Sequence, residues 1–512
     1  MRLFHSSIQW SEQILEQTKS IGSGNSAFAL RPNSGYHRFK IETHEAPPRR
    51  KQPRPFNPRV SKIGLASVLI SEALKLRLKL TRKEYRKMLL SRPCIYGVFG
   101  SKLGGFHPIK DKCVGCMRCV QEYPGVCVVD RNPEFFKFAD SYWVPDDPST
   151  SNSTPVSIVA YEAETGKIPI KGMGYKGAFA GRGWDSIWTD MSEIVRPTRD
   201  GVYGREYIST TVDVGRKPRF LEFAGKDVKQ ESRVVEISLP IIFDYLPPNL
   251  NNQSIIGSIA GAAQRTGTLF VATPEQSESL PATNLNSLVP LVSAQNLTRH
   301  GCGSNNAVMI ELTNYDAETV EQIRRMKPKT PISVRLPLSS DAGRIATELV
   351  RAGVDVVHLC ANYHGEGWDV GSPIFAKDLM RSVHGKLVEE SVRDEVTLIL
   401  SGGVTLAEHI PKAIMCGADL VALEATTLVA LQAQFLGECP SPEQGRIKPD
   451  KFSQRWGEQR LVNLLASWHD QLIEILSAMG IRDVRRLRGD VGRAMFNEDL
   501  EREAFAGIDR RK

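Results

Sequence analysis

The chain has 512 residues, 41% hydrophobic and 24% charged, which is ordinary for a folded globular protein and too apolar for a disordered one. No stretch reaches the roughly 18 apolar residues that a membrane span needs; the nearest, 63–80, is interrupted by Glu72, Lys75, Arg77 and Lys79. The first residues also lack the pattern of a secretory signal, so a cytoplasmic location is expected.

The net charge of +8 is uneven. Residues 31–93 carry 17 Lys+Arg against 4 Asp+Glu, a local +13 that leaves −5 for the remainder. This reads as a basic, loosely ordered arm over 1–62, extended by Pro47, Pro48, Pro53, Pro55 and Pro58, lying on the acidic body or on a partner subunit. Nucleic acid is an unlikely partner, since the basic run has no interleaved aromatics and no binding motif.

Residues 63–92 show helical spacing of apolar positions and lead into a cysteine module, together 63–135. Of nine cysteines, Cys113, Cys116, Cys119 and Cys127 fall within fifteen residues, which in a large chain favours metal over disulfides. The Cys-x2-Cys-x2-Cys run is the core of a ferredoxin-type iron–sulfur ligand set. The next cysteine of such a run, before a proline, serves a second cluster; here Tyr123 stands there, before Pro124, so one cluster, a single 4Fe-4S, is expected. Its fourth ligand is open between Cys127, the nearest, and Cys94. A zinc knot, which prefers paired Cys-x2-Cys arms, and a module that no longer binds metal are the alternatives.

Residues 136–232 read as a bridging segment with strand-like pieces such as Val156 to Tyr161. From 233 to 440 the alternation is regular. Strands are expected over 234–243, 268–272, 288–292, 308–312, 332–336, 354–359, 397–401 and 419–424, with helices over 254–264, 317–326, 342–352, 374–384 and 406–415. Eight short apolar strands alternating with helices predict an α/β fold, a TIM-type (β/α)8 barrel with an N-terminal iron–sulfur module and a C-terminal helical tail. The tail, 441–512, carries amphipathic helices over 456–479 and 493–504.

The seventh strand ends in Ser401-Gly402-Gly403 and the eighth is followed by Ala425-Thr426-Thr427. Small residues after the last two strands of a barrel expose backbone N–H groups to an anion, which points to a phosphate-bearing cofactor.

The succession of cysteine module, bridge, compact barrel, Ser401-Gly402-Gly403-Val404, Cys416-Gly417-Ala418-Asp419 and the tail over 472–489 resembles the FMN-binding domain of glutamate synthases, above all short stand-alone glutamate-synthase-like proteins. The resemblance implies FMN held by Ser401, Gly402, Gly403, Ala425, Thr426 and Thr427, with Arg335 where the family has a lysine beside the flavin. It implies an oxidoreductase acting on CH–NH2 groups: electrons pass from the cluster to FMN and then, as hydride, to a keto or imino acid such as 2-iminoglutarate. The electron donor would be a ferredoxin or an NAD(P)H-dependent subunit, with an amidotransferase as a possible source of ammonia.

Candidate catalytic residues are Arg335, His364 and Glu366. Their plain readings are a salt-bridged strand end, a loop histidine and a solvated charge. The chain departs from the family in the loops after strands one, four and six, and has Glu424 where the family has glycine. A catalytically degenerate barrel serving electron transfer or scaffolding is therefore the alternative function.

Overall fold

A computed structural model of the protein describes residues 41–49, 56–61, 94–100, 107–113, 115–122, 127–133, 153–169, 183–189, 207–218, 222–224, 227–229, 232–250, 252–278, 280–295, 307–369, 371, 374–436 and 446–504. The basic arm up to residue 40 and the helix expected over 63–92 lie outside the described residues.

Eight strands close into a parallel barrel: β1 (Ile241–Phe243), β2 (Phe270–Ala272), β3 (Leu288–Val292), β4 (Ile310–Leu312), β5 (Ile332–Pro337), β6 (Val356–Cys360), β7 (Thr397–Ser401) and β8 (Leu420–Leu423). Each pairs with its neighbours in sequence, and β8 closes on β1 through Val421–Ile241, Ala422–Ile242 and Leu423–Phe243. Every residue of β3, β7 and β8 is buried, as expected of strands covered inside and out.

The helices named below are, in chain order, α1 (Ser153–Thr165), α2 (Gln253–Thr266), α3 (Ala317–Met326), α4 (Ala342–Arg351), α5 (Ala376–Glu389), α6 (His409–Met415), α7 (Ala425–Ala430) and α8 (Gln454–Ala478). Local chemistry sets their limits. Asn252 caps α2 by accepting from the Ser254 amide, and Gly267 ends it in a left-handed conformation. Asp316 caps α3 by accepting from the Thr319 amide.

Three expectations are corrected. The single strand over 234–243 is two: Arg233–Ile237 pairs antiparallel with Val212–Arg216 outside the barrel, and β1 starts only at Ile241. Pro240, which has no amide hydrogen to give a ladder, stands just before β1. Residues 156–161 are helical, within α1, where Val156, Val159 and Ala163 recur at helical spacing and are all buried. The last helix begins at Asn497, because Ala494–Phe496 forms a strand with Ile187–Thr189.

The end of the barrel where the strands begin is closed by ion pairs. Asp355, just before β6, meets Arg233 and Arg324 and accepts from the Ile332 amide at 2.8 Å. Asp419 before β8 meets Arg393 at 2.8 Å and accepts from Leu398 N. The long α8 packs across α2 and α1. Segment 41–49, expected as part of a loose arm, lies on α8: the fully buried Arg460 donates to Ala46 O at 2.8 Å and to Ala430 O at 2.5 Å. Trp456 Nε1 donates to Pro47 O.

Candidate functional site

Four polar side chains, three from the consecutive strands β4, β5 and β6 and one following β1, meet inside the barrel toward the end where the strands finish. Arg335 of β5 donates through Nη1 to Asp244 Oδ1 at 2.6 Å and to Glu311 Oε1 at 2.8 Å, and through Nη2 to Asp244 Oδ2 at 3.1 Å. Asp244 follows β1 and Glu311 lies in β4, so the guanidinium spans the barrel interior. His358 of β6 places Nδ1 3.0 Å from Glu311 Oε2 and Nε2 3.6 Å from Asp244 Oδ2. Ser333 donates to Glu311 Oε2 at 3.0 Å, and Tyr245 N to Asp244 Oδ1 at 2.7 Å.

Asp244, Glu311 and His358 are fully or almost fully buried. Burial works against ionising both carboxyls, but Arg335 and His358 beside them outweigh it and hold both below the usual carboxylate range. Burial likewise opposes the charge of Arg335, and the Asp244 carboxylate more than offsets it. Asp244, Glu311 and His358 bring ligand atoms within 4.8 Å of one another, a grouping that could suit a metal, but the guanidinium already supplies the counter-charge between the two carboxylates.

Glu424 joins this group from the end of β8. Its carboxyl is buried and hydrogen-bonded to Asp244; burial first, then the Asp244 charge, push it well above the ordinary range. This shift favours the neutral form of Glu424 beside the Asp244 carboxylate. Glu424 lies against both Asp244 and Ser401, at the head of the turn after β7, and makes no cap hydrogen bond to the amides of α7. Cys360 ends β6 at the same level, its thiol pushed up to about 12 by burial.

The predicted phosphate residues are brought together. Thr426 Oγ1 donates to Val404 O at 2.7 Å, tying the turn after β7 to the first turn of α7. Gly402 and Gly403 both have left-handed φ, +87° and +69°, and the amides of Gly402, Gly403, Ala425 and Thr426 have no acceptor among the described residues. Consecutive amides turned by left-handed residues form an anion-binding concavity, so these residues fit a phosphate group. The hydroxyls do not contribute: Thr426 Oγ1 is taken by Val404 O and Thr427 Oγ1 donates to Leu423 O. Ser401 is fully buried at the head of the turn, with its side chain against Glu424 and Cys360.

His364 and Glu366 sit in the turn after β6, apart from the charged group. Asn362 Oδ1 accepts from both their amides at 2.9 Å, and Asn362 Nδ2 donates to Glu366 Oε2 at 3.2 Å. This turn packs on the one after β7: a Cβ at Gly403 would lie 2.3 Å from Gly365 Cα.

The cysteines also converge. Cys94, Cys113, Cys116 and Cys119 line one cavity with Phe99 and Met117, and Cys127 contacts Cys119. The Gly115 amide donates to the Cys113 sulfur and the Val120 amide to that of Cys119, a donor set suited to thiolates bound to metal. Gly115 is left-handed and its missing Cβ is where the Phe56 ring sits, so this loop has no room for another residue type.

Sequence reasoning missed Asp244, Glu311 and His358 as site residues. The signal was present: a carboxylate between Ile310 and Leu312, an imidazole between Val357 and Leu359, and an acid directly after Ile241–Phe243 are charged groups inside otherwise buried strands.

A profile described as a conserved region in glutamate synthase matches residues 310–482. The archaeal-type glutamate synthase (NADPH) of Dehalococcoides mccartyi is 25% identical over 441 residues, covering 74% of this chain and 86% of its own. The archaeal glutamate synthase (NADPH) of Archaeoglobus fulgidus is 24% identical over 448 residues, covering 74% and 85%. Among solved structures, a mandelate oxidase aligns with a TM-score of 0.40 at 14% identity over 60% of this chain and 85% of its own. With relatives aligned across most of its length and the conserved region spanning β4 to α8, the chain is a glutamate-synthase-like protein.

Proposed function

We propose that the protein is a glutamate-synthase-type oxidoreductase, dependent on FMN and an iron–sulfur cluster, that reduces an imine or keto acid such as 2-iminoglutarate to an amino acid. The observation that carries this reading is the set of unpaired amides after β7 and β8, held together by Thr426 and adjoining a buried charged group at the barrel end. The NADPH glutamate synthases among the relatives support it.

Bound FMN would supply hydride transfer to an electron-poor carbon. The protein's own residues set the conditions. The amides of Gly402, Gly403, Ala425 and Thr426 hold the phosphate. Burial and the Asp244 charge favour the neutral form of Glu424, which limits negative charge next to the phosphate. Arg335 is fixed by two carboxylates, so its donors face one direction without reorganisation when charge develops nearby. His364 and Glu366, braced by Asn362, are the candidates to contact substrate, His364 as proton donor. Cys113, Cys116 and Cys119 would hold the cluster, fed by a ferredoxin or an NAD(P)H-dependent subunit, with ammonia from solution or an amidotransferase partner. Among the described residues no helix is long and apolar enough to cross a membrane.

A second reading, a barrel retained for electron transfer or scaffolding, is favoured by one observation: Arg335 is already bound by two internal carboxylates. Anaerobically purified protein separates the two. Flavin, iron and sulfide are quantified, and glutamate is then measured from 2-oxoglutarate and ammonia with a chemically reduced viologen as donor. Glutamate formation supports the enzyme. Flavin and iron without turnover supports the second reading, and absence of flavin refutes both the cofactor and the reaction.

A further inference from the structure

We propose that Cys94, and not Cys127, completes the ligand set with Cys113, Cys116 and Cys119. The inference rests on the iron–sulfur reading above and concerns which residues hold the cluster.

Cys94 is far from the run in sequence but is folded against it. Its carbonyl closes a turn with Gly97 N at 3.1 Å, and Val98 O then accepts from Ile109 N at 2.7 Å. That bond clamps 94–100 onto the residues leading into Cys113. The Cys94 thiol consequently lines the same cavity as Cys113, Cys116 and Cys119.

Cys127 is positioned differently. It begins the strand Cys127–Arg131, which pairs antiparallel with Phe56–Val60 in the register Val60–Cys127. It packs in the same buried cluster as Cys119 but does not line the cavity.

The four ligands of a cubane surround one space, and the cavity is the space that Cys94, Cys113, Cys116 and Cys119 share.

The test uses full-length protein purified anaerobically as wild type, Cys94→Ala and Cys127→Ala. Iron and acid-labile sulfide are quantified, the reduced cluster is followed by electron paramagnetic resonance and redox titration, and circular dichroism with flavin content checks folding. Wild type and Cys127→Ala should hold the same iron and sulfide. Cys94→Ala should hold a three-iron cluster or none, with flavin content unchanged. Loss of the cluster in Cys127→Ala, or a full cluster in Cys94→Ala, overturns the assignment even if Cys94→Ala folds poorly, because the two variants are independent. Wild type that binds only zinc, or no metal after reconstitution with iron and sulfide, instead overturns the iron–sulfur reading itself.

Discussion

Replacing Arg335 with Met tests whether the charged group inside the barrel is organised as described. Arg335 makes three contacts of 2.6 to 3.1 Å to two carboxylates that are both fully buried. Methionine approximates the length of the stem, so the main change is loss of the cation. Breaking a buried pair from one side costs about 3–5 kcal/mol, because the surviving charge is left without its partner. His358 still faces both acids, which sets the expectation toward the lower part of that range.

The sign of the pH dependence follows from the lowered carboxyls. In the wild type, Asp244 and Glu311 contribute stability above the carboxyl values of the unfolded chain, and this is lost as pH falls through their depressed folded values. Without Arg335 burial dominates, the folded values rise above the unfolded ones, and the penalty is relieved as the acids take up protons. Urea denaturation should thus show the variant less stable by about 3–5 kcal/mol at about pH 7, with the gap narrowing toward about pH 5. Adding Asp244→Asn should recover at least about 1 kcal/mol instead of adding its own cost. A gap under about 1 kcal/mol at neutral pH, or one that does not change with pH, would refute the account of two buried carboxylates depending on one guanidinium.

Glu424→Gln should cost less than about 1 kcal/mol at low pH, since the amide mimics the neutral acid. Wild-type Glu424 has a raised carboxyl, so its contribution is fully present below the unfolded value and declines as pH rises through the folded one; the glutamine variant should gain on the wild type as pH increases, measured by thermal unfolding across pH. Gly403→Ala, with left-handed φ and a Cβ 2.3 Å from Gly365 Cα, should lose about 1–3 kcal/mol and release flavin on gel filtration, whereas unchanged stability and flavin content would show that the turns after β6 and β7 do not pack as described. Arg460→Met should expose 41–49 to limited proteolysis while leaving the barrel intact, because Arg460 ties Ala46 to Ala430; equal cleavage rates would count against that tie.

The local pattern of the chain contained the barrel and the order of its parts. Short apolar runs alternating with amphipathic helices can bury both faces only as parallel strands, so the run from Ile241 to Leu423 was legible strand by strand, with 288–292 and 397–401 matching to the residue. The paired glycines after β7 were legible too, because a close backbone approach leaves its mark on composition. What the one-dimensional string could not hold were distances between strands. Whether Glu424 faces the phosphate amides or the barrel interior, whether Arg335 is free or shared between Asp244 and Glu311, and which thiol stands beside Cys113, Cys116 and Cys119 all depend on contacts between residues remote in sequence. Those contacts exist only once the barrel closes and water is excluded. Burial then makes the cost of an unmatched charge large enough to select one arrangement, which is why the tertiary structure decided the charge state of the site and the sequence decided only its scaffold.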